Sequence, residues 1–167
     1  MITALESDST RLGISVNSLS NSILKKWARW DRHVQKLEMV AVPKDVVAAF
    51  VPDYNEKQVY DLVDSIMPFF QDAVILIKGK YDLKRCIETL DDYMQSTGIV
   101  SDHTIDGTTH CFTIQHGMGN SWSIFIKIML GHLFSEFVPD KKVEYNIRDN
   151  TVSVRISLGS EWDEHDY

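Results

Sequence analysis

The sequence predicts an α+β fold in which N-terminal helices precede a helix-backed antiparallel sheet, and three observations lead to this prediction. Apolar residues recur every three or four positions over residues 16–37, which is the period of an amphipathic helix. Two segment pairs in the last third of the chain flank turn dipeptides, as the strands of β-hairpins do. Between them, residues 122–137 are almost wholly apolar, which is typical of a helix that is covered on most sides. We therefore expect a ββαββ unit behind an N-terminal helical region.

The N-terminal region predicts two successive helices. The first covers residues 2–12 and ends at Gly13, because glycine adopts the left-handed conformation at which helices stop. Ser15 is a favourable N-cap for the second helix. Its apolar positions are Val16, Leu19, Ile23, Trp27, Trp30, Val34 and Leu37. Its opposite face is basic and carries Lys25, Lys26, Arg29, Arg32 and Lys36.

Two further helices are expected in the middle of the chain. Pro43 suits the first turn of a short helix through residues 46–50. Asn55 caps a longer helix, which ends or kinks at Pro68 because proline lacks the amide hydrogen that the helix requires. The buried stripe of this longer helix is Val59, Leu62, Val63 and Ile66.

Residues 73–77 are apolar and rich in β-branched side chains, so they suit either a buried strand or a continuing helix. We favour the strand, which would extend the unit to βαββαββ and make it similar to the ferredoxin-like and ACT-like βαββαβ arrangement. Gly79 ends this segment, and Asp82 caps a helix that Gly98 terminates. The apolar stripe of that helix is Leu83, Cys86, Ile87, Leu90, Tyr93 and Met94.

The last third predicts two hairpins around the apolar helix. Residues 99–105 and 110–115 flank Asp106-Gly107, a dipeptide that accepts the positive φ angles of a tight turn. Residues 143–147 and 151–156 are joined around Asp149-Asn150. The connection from the first hairpin to the helix is Gly117-Met118-Gly119-Asn120-Ser121, in which Asn120 or Ser121 is the expected cap.

Length and composition fit one ordinary domain or a short helical module fused to a compact unit. The chain has 167 residues, of which 44% are hydrophobic and 25% charged. We predict a helical dimerisation module at 1–40, a helical connector at 41–70, a ligand-binding or dimerisation unit at 71–158 and an acidic tail at 159–167. The net charge is −7, but the first 40 residues carry six basic and four acidic side chains. Only this local basic face is suited to nucleic acid.

Several classes of protein are not expected. The N-terminus lacks the basic and apolar pattern of a secretory signal, and no apolar run reaches the roughly 18–20 residues of a membrane span. We therefore expect a cytoplasmic protein that does not engage membranes. Cys86 and Cys111 form no CxxC pattern, which argues against a disulfide framework or a structural zinc site. No local nucleophile-and-base or paired-carboxylate motif is present, so we do not expect an enzyme.

The N-terminal motif resembles the turn and second helix of ribbon-helix-helix repressors. The resemblance rests on residues 11–19 with Ser22-Ile23-Leu24 and extends over about residues 1–30. In that family the helices build an intertwined dimer, and a strand before the first helix reads the DNA major groove. Here the first helix is predicted at once, without a preceding strand. The resemblance implies a homodimer or higher oligomer, either with DNA contact through Lys25, Lys26, Arg29, Arg32 and Lys36 or with the helices kept for dimerisation alone.

Two weaker patterns concern ligands. His110, His116 and His132 carry imidazoles that suit a transition metal, and strand alternation places His110 and His116 on one face and Cys111 on the other. This layout is similar to that of nickel-responsive regulators, although the ligand spacing differs. Ordinary surface or hydrogen-bonded histidines are the alternative.

The segment from Gln115 to Ser123 is the most distinctive string in the chain. Its Ile-Gln-His, Gly and Trp-Ser elements resemble a small set of uncharacterised archaeal proteins, which implies an archaeal origin and no activity. If a small ligand binds here, we expect it near His116, Asn120, Ser121 and Trp122. The plain alternative is a strand-to-helix turn.

The leading functional hypothesis from the sequence is a transcriptional regulator. Its N-terminal helices would dimerise, with DNA as a candidate partner, and its α+β unit would sense a small ligand or metal. The alternative is a ligand-binding or scaffold protein that does not bind DNA and keeps only the dimerisation helices.

Overall fold

The computed structural model describes residues 2–50, 54–159 and Trp162, with the backbone alone at residue 50. The chain divides into two compact units, Met1–Met39 and Val40–Tyr167. The division lies one residue from the boundary expected at 40. Residues 41–70, expected as a separate connector, belong to the second unit. Most of the predicted acidic tail lies outside the described residues.

The first unit is helical throughout its ordered length. Helix α1 is Ile2–Leu12, α2 is Val16–Lys26 and α3 is Arg32–Val34, with a π-helical segment, Trp27–Asp31, between α2 and α3. As predicted, Gly13 has a positive φ of 67° and the Ser15 side chain accepts a hydrogen bond from the amide of Ser18. The π-helical segment is a departure from the regular helix that the apolar spacing predicts. Along that stripe, Trp27 is 56% exposed whereas Trp30 is only 7% exposed.

The second unit contains the remaining helices: α4 (Lys44–Phe50), α5 (Glu56–Lys78), α6 (Leu83–Thr97) and α7 (Asn120–Phe137). The predicted N-caps of α5 and α6 are confirmed. Asn55 and Gln58 form a capping box, in which each side chain satisfies the other residue's amide. Asp82 accepts from the amide of Arg85, and Gly79 and Gly98 end α5 and α6 in the left-handed conformation.

The strand expected at residues 73–77 is wrong, because α5 continues through Pro68 to Lys78. Burial there follows the period of a helix: Ala73 and Val74 are buried, whereas Ile75 and Leu76 are exposed. Pro68 is itself exposed, so the carbonyl that loses its amide partner at that position lies on the solvent side of the helix. The βαββαβ alternative is therefore excluded.

The sheet has four antiparallel strands in the order β1-β2-β4-β3. They are β1 (Val100–Asp106), β2 (Thr109–Gln115), β3 (Val143–Arg148) and β4 (Thr151–Ser157). With α7 between the two hairpins, the predicted ββαββ unit is confirmed. Asp106 pairs with Thr109, so the first turn consists of Gly107-Thr108 and is shifted by one residue from the expected dipeptide.

Helix α7 packs on the inner face of this sheet, where it also meets α5 and α6. The helix contributes Ile126, Ile128, Met129, Leu130, Leu133 and Phe134 to the buried core. The inner face contributes Phe112, Ile114, Val152, Val154 and Ile156. The expectation that this apolar helix is covered on most sides is thus confirmed. In the part of the chain that the structure describes, no helix is both long and apolar enough to cross a membrane.

Leu133 provides a test of this core, because its side chain is fully buried at 0% exposure. We expect Leu133→Ala to lower the free energy of unfolding by about 2–5 kcal/mol, since it removes buried methyl groups and leaves a cavity. Urea unfolding followed by circular dichroism measures this change. The control is Leu76→Ala on the exposed side of α5, expected to cost well under half as much. Equal losses in the two variants would contradict the assigned packing.

Candidate functional site

The ligand residues predicted from the sequence lie at the junction of β2 and α7. His116 follows β2, and Asn120, Ser121 and Trp122 form the first turn of α7. The cap expected at Asn120 or Ser121 is wrong by one or two positions. The N-cap is Gly119, whose φ of 84° favours glycine, and no side chain caps the helix from that position. The Trp122 ring stacks on Phe125, with ring centroids 4.8 Å apart.

His116 is part of a buried hydrogen-bond network. Its Nδ1 accepts a hydrogen bond from the amide of Met118 at 3.0 Å, so in the neutral ring the proton resides on Nε2. Nε2 lies 2.8 Å from Ser123 Oγ and therefore donates to it. The Ser123 hydroxyl in turn donates to the carbonyl of Arg148 at 2.7 Å. Each hydrogen in this chain has a defined direction.

This network holds the β2–α7 connection against the turn between β3 and β4. Asn150 takes part twice: its carbonyl accepts from the amide of His116, and its side chain accepts from the amide of Gly119. His116 is 1% exposed and Ser123 0%, so a ligand has no direct access to either side chain. The role that these contacts support for His116 is structural.

The three histidines proposed as metal ligands lie in different surroundings. His110 Nδ1 is 2.9 Å from His103 Nε2, and His132 Nε2 is 3.1 Å from Asp64. His116 is occupied by Ser123 and Met118. Within residues 2–50, 54–159 and Trp162, no three His, Cys, Asp or Glu side chains are grouped so that they could hold a metal ion. The structure does not bring the predicted ligand set together.

The five basic residues proposed for phosphate contact all lie in the first unit and are all exposed: Lys25, Lys26, Arg29, Arg32 and Lys36. Lys26 Nζ is 3.6 Å from Asp31, and Arg32 Nε donates to His33. The same unit exposes the apolar side chains of Leu12, Ile14, Val16, Ile23, Leu24 and Trp27.

The largest described opening in the second unit is a cleft of about 620 Å³. Helix α7, the segment after it, β3 and Tyr60 of α5 form its walls. The apolar part of the lining is Ile128, Phe134, Val138, Pro139 and Val143, and the polar part is Tyr60, Lys127, His132, Ser135, Glu136, Lys141 and Tyr145. Small-molecule sites usually have about 300–1,000 Å³, an apolar lining and a few converging polar groups. The cleft has these properties.

Gly131 forms part of the lining of the cleft where α7 approaches β3. A Cβ atom at this position would lie 3.5 Å from the hydroxyl oxygen of Tyr145. The absence of a side chain therefore leaves open a space that any larger residue would begin to fill.

Two pairs of titratable groups border the cleft. His132 Nε2 is held by Asp64, which lies one helical turn from Tyr60 on α5, and the rings of Tyr60 and His132 are 6.3 Å apart. Burial, with a smaller contribution from Tyr60, raises the pKa of Tyr145 to about 12. The Tyr145 phenol thus keeps its proton at neutral pH and can donate a hydrogen bond to a ligand.

A second, smaller cavity lies between α6 and the sheet and has about 110 Å³. It is lined by Leu90, Met94, Phe112, Ile114 and other apolar residues. A dry cavity of about 150 Å³ holds a molecule the size of benzene, so this one is too small for most metabolites. The cleft is therefore the stronger candidate site.

Of the sequence-predicted residues, only His132 contributes to the cleft. The others that line it are spread from Tyr60 to Tyr145 and form no local motif. The one sequence signal was Gly131, a glycine inside an otherwise apolar helix, which often marks a close approach or an opening. Comparison with family models and with curated proteins found no match for this chain.

Acid should weaken the His116 network. The pKa of His116 is below its ordinary value of 6.5 because burial penalises the imidazolium, and the charge of Lys44 acts in the same direction. Between the lowered folded-state pKa and 6.5, the unfolded chain binds more protons than the folded one. We expect the free energy of unfolding to fall as pH drops below about 6.5, and to fall less steeply in His116→Gln. Urea unfolding at a series of pH values measures both slopes.

The matched pair for this test lies on α7. Ser123→Ala should cost about 1–3 kcal/mol at neutral pH, since it leaves buried hydrogen-bonding groups unpaired. Ser135→Ala changes an exposed serine of the same helix and should have little effect. If His116→Gln kept the wild-type pH slope, the assigned role of His116 would be wrong.

Proposed function

We propose that this protein binds a small molecule in the cleft between α5, α7 and β3. The observation that carries the proposal is the form of the cleft: about 620 Å³, with an apolar wall and several polar groups around it. This proposal corresponds to the ligand-binding alternative of the sequence analysis, with the site moved from His116 to Tyr60, His132 and Tyr145.

The composition of the cleft favours binding over catalysis. The His132 and Asp64 pair is accessible to solvent, with the two side chains 35% and 63% exposed. Ser135, the hydroxyl residue on the same helix, has no described hydrogen bond to His132, so the described side chains do not form a nucleophile with its base. The same groups are well suited to orienting a bound molecule.

Gly131→Leu tests the cleft by filling it. We expect this variant to lose binding of small-molecule fragments that bind the wild-type protein, because the added side chain occupies the space beside Tyr145. Ligand-observed nuclear magnetic resonance with a fragment library measures binding, and the ring signals of Tyr60 and Tyr145 report its location. The control is Ala49→Leu, which adds similar bulk at an exposed position of α4.

Thermal unfolding of both variants must match the wild type for this comparison to count. Because an overpacked Gly131→Leu can unfold, Gly131→Ala serves as the milder variant, with weaker binding expected. Fragments that bind equally well to Gly131→Leu and leave the tyrosine signals unchanged would overturn the proposed site.

A second candidate function, a dimeric transcriptional regulator, is favoured by the surface of the first unit. A unit of 39 residues that exposes six large apolar side chains is below the size at which a chain usually folds without oligomerisation or another stabiliser. A second copy of the same helices would cover that surface. The five exposed basic residues would then face DNA, as the resemblance to ribbon-helix-helix repressors implies.

A mobility-shift experiment tests the regulator. The protein, with its molar mass checked by light scattering, is mixed with fragments of its own upstream region or with unrelated DNA at low and moderate salt. We expect a dimer that retains its own fragment selectively, and retention should weaken as salt rises. Replacing Arg29, Arg32 and Lys36 by glutamine should reduce the salt dependence by about one charge per lost phosphate contact. A monomer, or no shift at micromolar protein, would rule this candidate out.

A further inference from the structure

The charged groups of the cleft are distributed unevenly between its lining and its surroundings. Lys127, Lys141 and His132 line the cleft, against Glu136 as the one lining carboxylate that the structure describes. Glu136 is already engaged, because its Oε2 accepts a hydrogen bond from the hydroxyl of Tyr81 at 2.9 Å. The lining is therefore more cationic than the unit of which it is part.

The two carboxylates nearest to these cations lie on α5, outside the lining. Asp64 is 3.1 Å from His132, and Glu56 Oε1 is 3.4 Å from Lys127 Nζ. The Glu56 and Lys127 side chains are 59% and 37% exposed. An exposed ion pair at this separation contributes little free energy and exchanges readily with another anion. Glu56 thus holds Lys127 weakly at the edge of the cleft.

The remainder of the lining is suited to a flat apolar body. Ile128, Phe134 and Val138 are buried and form an apolar wall, and Tyr60 and Tyr145 add two aromatic rings. Aromatic rings pack well against other planar groups. A ligand that fits all of these features has a planar apolar part and a negative charge.

We infer that the cleft binds a planar organic anion and that Lys127 recognises its charge after leaving Glu56. This inference rests on the proposed ligand-binding function and adds the chemical class of the ligand. Lys141 and His132 supply further positive charge in the same lining. The ligand charge group is a carboxylate or a phosphate, since either forms charge-assisted hydrogen bonds with an ammonium group.

Three matched probes test the charge requirement: naphthoate, the neutral naphthamide and the cationic naphthylmethylamine. They share one ring system, so differences among them report charge. Binding is measured by ligand-observed nuclear magnetic resonance at neutral pH on the full chain, and phenyl phosphate tests whether phosphate replaces carboxylate. We expect naphthoate to bind best, the amide less well and the amine least, with the preference for naphthoate falling as salt rises.

Two single variants then test the exchange of partners at Lys127. Lys127→Gln should weaken naphthoate binding by about two- to fivefold and leave the amide unchanged, because it removes an exposed charge interaction. Glu56→Gln should strengthen naphthoate binding, since it removes the competing carboxylate. The control is Lys57→Gln, which makes the same charge change beside Glu56 at an exposed residue outside the lining. A general loss of structure cannot produce the gain expected for Glu56→Gln.

The outcomes separate this inference from the proposed function. Equal or better binding of the amine, or no effect of Lys127→Gln and Glu56→Gln on naphthoate, would overturn the anion inference and leave the ligand site standing. If none of the probes binds while neutral or cationic library fragments occupy the cleft, the anion inference fails and the site again stands. If neither probes nor fragments occupy the cleft, both fail.

Discussion

The burial of α7 against the inner face of the sheet is the contact on which the second unit depends. This helix is apolar around most of its circumference, so no single partner can cover it. The sheet takes one side, and α5 and α6 take others. The cleft arises where this covering is incomplete, at Gly131, and its depth follows from the packing of Phe134 and Ile128 into the core. The same interaction that stabilises the fold thus creates the candidate site.

Features determined by short stretches of sequence could be predicted. Caps such as Asn55 and Asp82 act within one turn of their own helix, and the strands of both hairpins are neighbours in the chain. The ββαββ order follows from these local signals because short connections leave few other arrangements. Errors of one residue occurred where glycine and its neighbour compete for a special conformation. Gly119 replaced Asn120 as cap, and Gly107-Thr108 replaced Asp106-Gly107 as turn.

Residues 73–77 and the cleft could not be derived in this way. A short run of β-branched residues is compatible with a strand or a helix, and the choice depends on what buries it. In α5 the buried positions follow the helical period set upstream by Val59 and Val63, so tertiary packing overrides local preference. The cleft joins residues more than eighty positions apart, from Tyr60 to Tyr145. Periodicity predicts which face of an element is buried, but not where two covered faces fail to meet.

The start of α7 is secured by a distant part of the chain. Gly119 has no side chain to cap the helix, and its own amide is bound by Asn150, while Ser123 in the first turn is held by the carbonyl of Arg148. Both partners belong to the β3–β4 turn, which emerges from the ribosome after the whole of α7. The first turn of α7 therefore lacks its native partners until the last hairpin has formed. During synthesis, the most apolar helix of the chain must await its final contacts, and in that interval its exposed surface is open to aggregation or chaperone binding.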